Sequence, residues 1–148
     1  MGIQIRKAAK NDIPIILDLL YELGRPKPDN NSDGDVFQRL IKEYFSEENK
    51  EIMLAETNTT IVGIVSMMFL SRLNQKYPEL YIPELVVTKD FQNQGVGEKL
   101  INACIVIAKE RKCYRIRLES GNQRKESHKF YKKLGFEQTA LSFSKNLN

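Results

Sequence analysis

Residues 80–108 restrict the fold more than any other stretch of the chain. Tyr81, Ile82, Leu85, Val86 and Val87 form an apolar, β-branched run, and residues 88–94 make a polar turn. Gly95-Val96-Gly97 follows. Leu100, Ile101, Cys104, Ile105, Ile107 and Ala108 then recur on a broad apolar helical face. A strand, a glycine turn and a helix in that order make an anion cradle. Glycine lets the backbone approach a ligand, and the first helical turn offers unpaired N–H groups and a partial positive charge. A phosphate or pyrophosphate suits such an end, which makes Gln92, Asn93, Gln94, Gly95, Val96, Gly97 and Glu98 candidate binding residues. A dinucleotide fingerprint would need a third glycine where Leu100 stands, and no Gly-Lys-Ser/Thr closes a P-loop.

The length of 148 residues fits one domain, here residues 1–148, with a core of its own. No apolar run approaches a membrane span, and the start of the chain carries no signal-peptide core. We therefore expect no membrane association. Cys104 and Cys113 sit in apolar contexts and read as buried thiols rather than a disulfide, from which we expect a cytoplasmic location. One histidine and two cysteines give no ligand set for a metal, and none is expected. The net charge of +4 is uneven. Residues 1–60 hold 8 Lys and Arg against 11 Asp and Glu, and residues 61–148 hold 15 against 8. The cradle falls in the basic part, as a polyanionic ligand would require. A nucleic-acid surface is the rival reading of that charge. Its one support is Tyr114-Arg115-Ile116-Arg117, a thin match, so nucleic acid is not expected as a partner.

Along the chain, residues 3–6 alternate as a short strand. Asn11 or Asp12 caps a helix with Pro14 in its first turn, Ile13, Ile16, Leu17, Leu20 and Leu23 on one face, and Gly24 at its end. Residues 25–35 read as a loop by composition, with Asp29, Asp33 and Asp35 as acidic groups that an amine would seek. A second helix spans residues 36–45. Strands at residues 52–56 and 61–70 join through a short hairpin turn. Residues 81–87 form the next strand, interrupted at Pro83, which marks an edge or a bulge. After the cradle helix come a strand at residues 114–120, a helix at residues 125–134 closed by Gly135, and a last strand from Phe136 through Thr139, Leu141 and Phe143.

Gln92-Asn93-Gln94-Gly95-Val96-Gly97 resembles the Arg/Gln-x-x-Gly-x-Gly/Ala signature of the GNAT superfamily of acetyl-coenzyme A-dependent N-acetyltransferases. Ser120-Gly121-Asn122-Gln123-Arg124, with the later His128-Lys129-Phe130-Tyr131-Lys132-Lys133-Leu134-Gly135-Phe136, resembles that family's C-terminal motif. Ser127 stands where the family usually has alanine before the histidine. The resemblance covers residues 61–136 and is looser before them. It implies an α/β (α+β) fold: a mixed, mostly antiparallel central sheet of about six to seven strands with a V-shaped splay, flanked by about four helices. It also implies acetyl-CoA as cosubstrate, a primary amine of a small molecule as acceptor, and a homodimer as one state to expect.

Direct attack of an amine on a thioester needs a neutral amine, a stabilised oxyanion and a protonated leaving thiolate. The resemblance assigns Tyr131, a phenol that holds its proton at neutral pH, as the acid, and Glu84, in the bulged strand, as the base. Tyr77 and Tyr81 are weaker alternatives. It places the backbone of Leu85, Val86 and Val87 along the pantetheine arm, with the Val87 N–H toward the oxyanion. Arg124, Lys129 and His128 fall toward the cofactor. Two alternatives stand beside this reading. One is an acyl-CoA sensor or a basic nucleic-acid-binding module without turnover. The other is an enzyme whose acceptor is a protein N-terminal or lysine amine.

Overall fold

The computed structural model describes residues 2–148. They form two compact units, one ending at Arg117 and the other made by Leu118–Asn148. The first holds β1 (Gln4–Lys7), α1 (Ile13–Leu23), α2 (Asn31–Ser46), β2 (Lys50–Thr57), β3 (Thr60–Leu70), β4 (Glu79–Ile82), β5 (Leu85–Val87) and α3 (Val96–Glu110). β6 (Ile116–Leu118) runs across the boundary, and α4 (Lys125–Lys133) belongs to the second unit. The sheet order is β1-β2-β3-β4-β6, with β5 paired to β3 alongside β4. The pairs β1–β2, β2–β3, β3–β4 and β3–β5 are antiparallel.

β2 and β3 turn through Asn58 and Thr59, both at positive φ (49° and 67°), the backbone of a two-residue hairpin. β3 is buried along most of its length because helices cover both faces of the sheet. Its residue Ile64 packs with Ile13, Ile16 and Leu19 of α1 and Ile41 of α2. Side chains alternate across a strand, so Gly63 faces the other way, toward α3. A Cβ at Gly63 would lie 3.0 Å from the Val86 carbonyl oxygen, 3.1 Å from Leu100 Cδ1 and 3.2 Å from Val96 Cγ1. We expect Gly63→Val to cost about 3 kcal/mol by overpacking, read as a lower denaturation midpoint. An unchanged midpoint would show that α3 packs loosely here.

Arg6 of β1 ties the N-terminal strand to its surroundings, with its fork on Asp12 (2.9 Å to each oxygen) and its Nε on Glu56 (3.0 Å). The Arg6 hydrogen bonds hold Asp12 below the ordinary carboxylate value, against burial and with help from the Ala9 N–H. Glu79 is fully buried and is also held low. Burial opposes its charge, but hydrogen bonds from Arg117 and Arg115 outweigh it. A depressed native pKa gives stability that is present above the unfolded-state value and lost as pH falls through the native one. Thermal midpoints should therefore drop steeply below about pH 4, and Asp12→Asn should flatten part of that drop. A profile flat to pH 3 would contradict both pairings.

Two expectations need correction. Asn30, whose side chain accepts from the Asp33 N–H (2.8 Å), caps α2 at residue 31, not 36. The connection after α1 is thus short, and Asp33 and Asp35 lie in the helix, not in a loop. Residues 136–148 carry no strand: Leu141 and Phe143 are 72% and 89% exposed, and a segment without a ladder partner has nothing to fix it as a strand.

Candidate active site

The sheet opens at Pro83. Met68 faces Tyr81 on β4, while the Ser66 N–H donates to the Glu84 carbonyl at 2.9 Å. Met67 is therefore opposed by both Ile82 and Pro83, a bulge of one residue at a proline that has no N–H to offer the ladder. Ser66 closes the gap. Its Oγ accepts from the Glu84 N–H at 3.0 Å and donates to Glu84 Oε1. The other carboxylate oxygen accepts from Arg25 Nη2 at 3.0 Å, and the same Nη2 reaches the Pro83 carbonyl at 3.4 Å. Tyr44 of α2 lies beside Ser66 and Glu84. Burial, and then the charge of Glu84, push its phenol up to about 12.

The bulge also decides which backbone groups of β5 are offered. The Thr88 N–H bonds the Val62 carbonyl (2.9 Å), and the Ser66 N–H bonds Glu84. In an antiparallel ladder every second residue bonds the partner strand, so Val86 turns to β3, and Leu85 and Val87 turn to the opposite edge. Among the described residues no strand pairs with that edge. The Val87 carbonyl there accepts from Gln92 Nε2 (3.0 Å), which leaves the Leu85 N–H and carbonyl and the Val87 N–H facing outward.

A single 3-10 turn, Lys89–Phe91, leads from β5 to the helix. It is pinned to α1 by Glu22, whose carboxylate accepts from Thr88 Oγ1 (3.0 Å) and the Lys89 N–H (3.3 Å). Asn93 (φ 62°) and Gly95 (φ 85°) adopt the left-handed region, and Gln94 Nε2 bonds the Asp90 carbonyl at 3.1 Å. Gly95 is the cap of α3. The Lys99 N–H reaches back to the Gly95 carbonyl (3.1 Å), so the N–H groups of Val96, Gly97 and Glu98 precede the helical ladder and point out of the helix end. A Cβ at Gly95 would meet nothing within 4 Å beyond its own chain neighbours, so side chains leave this end open. The residues present fit a diphosphate.

The chain matches the acetyltransferase (GNAT) family over residues 16–136. The chain belongs to that family. It is 28% identical over 137 residues to an uncharacterized N-acetyltransferase of Methanocaldococcus jannaschii, covering 90% of this chain and 60% of that protein. It is 25% identical to an aminoalkylphosphonate N-acetyltransferase of Salmonella typhimurium, covering 97% of this chain and 91% of that one. A Bacillus halodurans structure described as a transcriptional regulator superposes with a TM-score of 0.90 at 26% identity, over 99% of this chain and 100% of the other. The chain thus spans less than two thirds of the archaeal relative's length and nearly all of the Salmonella protein's.

The C-terminal unit of this GNAT chain holds Tyr131, Arg124, His128 and Lys129. Tyr131 on α4 packs edge-on against Phe130 (5.2 Å between ring centroids) and Phe136 (5.8 Å). Burial raises its phenol pKa, and the charge of Arg124 partly opposes the rise. Arg124 occupies the N-cap of α4, and His128 Nε2 lies 2.8 Å from the Gly121 carbonyl oxygen. Lys129 pairs with Glu126 at 3.4 Å on the exposed face of the helix. Of the weaker candidates, Tyr81 lies beneath the Arg117 guanidinium (4.5 Å to the ring centroid), and Tyr77 beneath Lys76 (5.4 Å).

Arg25, Tyr44 and Ser66 gather around Glu84 without any sequence motif announcing them. Their one signal is indirect. Ser66 is a polar residue in the middle of an otherwise apolar strand, and a buried hydroxyl there needs a partner.

Proposed function

We propose that this chain transfers an acetyl group from acetyl-CoA to the primary amine of a small molecule, in a ternary complex and by direct attack. The observation that carries the reading is the pairing of an open glycine cap, with three helix-end N–H groups, to a β5 edge whose backbone faces outward one residue beyond Glu84. Acetyl-CoA supplies an activated acyl group on a thiol that leaves readily. Residues 92–98 hold its diphosphate, and the outward backbone of Leu85 and Val87 pairs with its amide arm as a strand would.

Glu84, fixed by Ser66 on one oxygen, takes the proton that the acceptor ammonium must lose. The outward Val87 N–H stabilises the oxyanion. Tyr131 returns a proton to the departing thiolate, and its support is the raised phenol pKa that keeps it protonated. Arg124 and His128 are assigned to cofactor binding, on the family motif they complete.

The test couples two measurements: calorimetric titration with acetyl-CoA, and release of free thiol over a panel of amines. Micromolar binding with amine-dependent thiol release supports the reading. Binding without release under any amine would make the chain an acyl-CoA sensor instead.

A further inference from the structure

The face of the sheet that carries Glu84 has a second charged end. Ile64 of β3 packs under α1 and α2, so by alternation Ser66, Met68 and Leu70 share its face. Opposite them stand Glu84, Tyr81 and Glu79. At one end Glu84 already holds a cation, the Arg25 guanidinium. At the other, Glu79 is 0% exposed and receives Arg115 (2.9 Å), Arg117 and, at 3.8 Å, Arg72, together with the Tyr114 hydroxyl (3.1 Å). One carboxylate thus anchors three guanidiniums, whose side chains keep 42%, 32% and 47% exposure for Arg115, Arg117 and Arg72. The buried acid fixes the arginine forks, and their exposed parts are planar donors suited to a carboxylate or phosphate. Arg117 lies over Tyr81, whose partner Met68 is two residues from Ser66, or about 7 Å along the strand.

We infer that the acceptor is an amine that also carries an anionic group: its ammonium is taken at Glu84, where Arg25 now sits, and its carboxylate, phosphate or phosphonate at Arg115 and Arg117, about 7 Å or more away. The inference rests on the acetyl-transfer reading and names its substrate class. It runs against the cationic acceptors that an acidic loop would favour. Asp33 and Asp35 belong to α2, and the loop residue that reaches Glu84 is basic.

Three amines of equal length test it: 6-aminohexanoate, 6-amino-1-hexanol and 1,6-diaminohexane, with 6-aminohexyl phosphate to separate phosphate from carboxylate. We expect kcat/KM for the better anionic amine to exceed that of the amino alcohol by about 10-fold or more at low salt, with the diamine lowest, as charge-assisted hydrogen bonds imply. The triple variant Glu79→Gln/Arg115→Met/Arg117→Met leaves no buried charge unpaired. There the anionic-to-neutral ratio should fall to within about threefold, whatever the overall loss. Equal or reversed order in the native protein overturns the inference, as does a preference that survives in the folded triple variant. If the triple variant does not fold, the native order decides alone. If no amine is turned over, the acetyl-transfer reading fails. Calorimetric binding of the same amines then decides: tighter binding of an anionic one supports the inference, and equal or weaker binding overturns it.

Discussion

Gly95→Asp abolishes acetyl-CoA binding, with a loss of at least about 100-fold in affinity and no measurable thiol release at ordinary concentrations. Two physical effects act together. The backbone at Gly95 sits at φ 85°, where any Cβ is strained. The added side chain would also enter the space a Cβ finds open, placing a carboxylate at the mouth of a helix end whose N–H groups attract a diphosphate. Strain alone would also appear with Gly95→Ala, which adds no charge. We therefore expect Gly95→Ala to lose an intermediate amount, and the difference between the two variants to shrink in high salt. Equal affinities for the native protein and Gly95→Asp would remove residues 92–98 from the binding site.

Tyr131→Phe lowers kcat by about 100-fold or more while coenzyme A affinity changes little, the signature of a lost proton donor rather than a lost contact. The pH profile carries the sign. Burial raises the phenol pKa, so the native enzyme should keep its turnover past the ordinary tyrosine value and lose it only as the phenol ionises. That alkaline limb should be absent from the residual activity of the variant. A large affinity loss with normal turnover would reassign Tyr131 to packing among Phe130 and Phe136.

What the sequence showed was local. The glycine turn, the helix behind it and the interruption at Pro83 are each written within a few neighbouring residues, and each lies where the pattern places it. The start of α2 was hidden because Asn30, Ser32, Asp33 and Gly34 are the residues of loops and of helix caps alike, and only the Asn30 to Asp33 hydrogen bond decides between them. The alternation after Phe136 describes two faces of a strand but names no partner to pair with. The environment of Glu84 was beyond any local pattern: Ser66 is 18 positions away and Arg25 is 59. The sheet and the α1–α2 connection bring them together.

The most direct measurement is a ¹H–¹⁵N spectrum of the protein titrated with coenzyme A. The amides of Val96, Gly97 and Glu98 precede the first hydrogen bond of α3, and those of Leu85 and Val87 face the open edge of β5. Our reading predicts that these five signals move most, saturating together at one affinity. If they stay in place while signals elsewhere shift with the ligand, the cradle is only a turn and the reading is wrong.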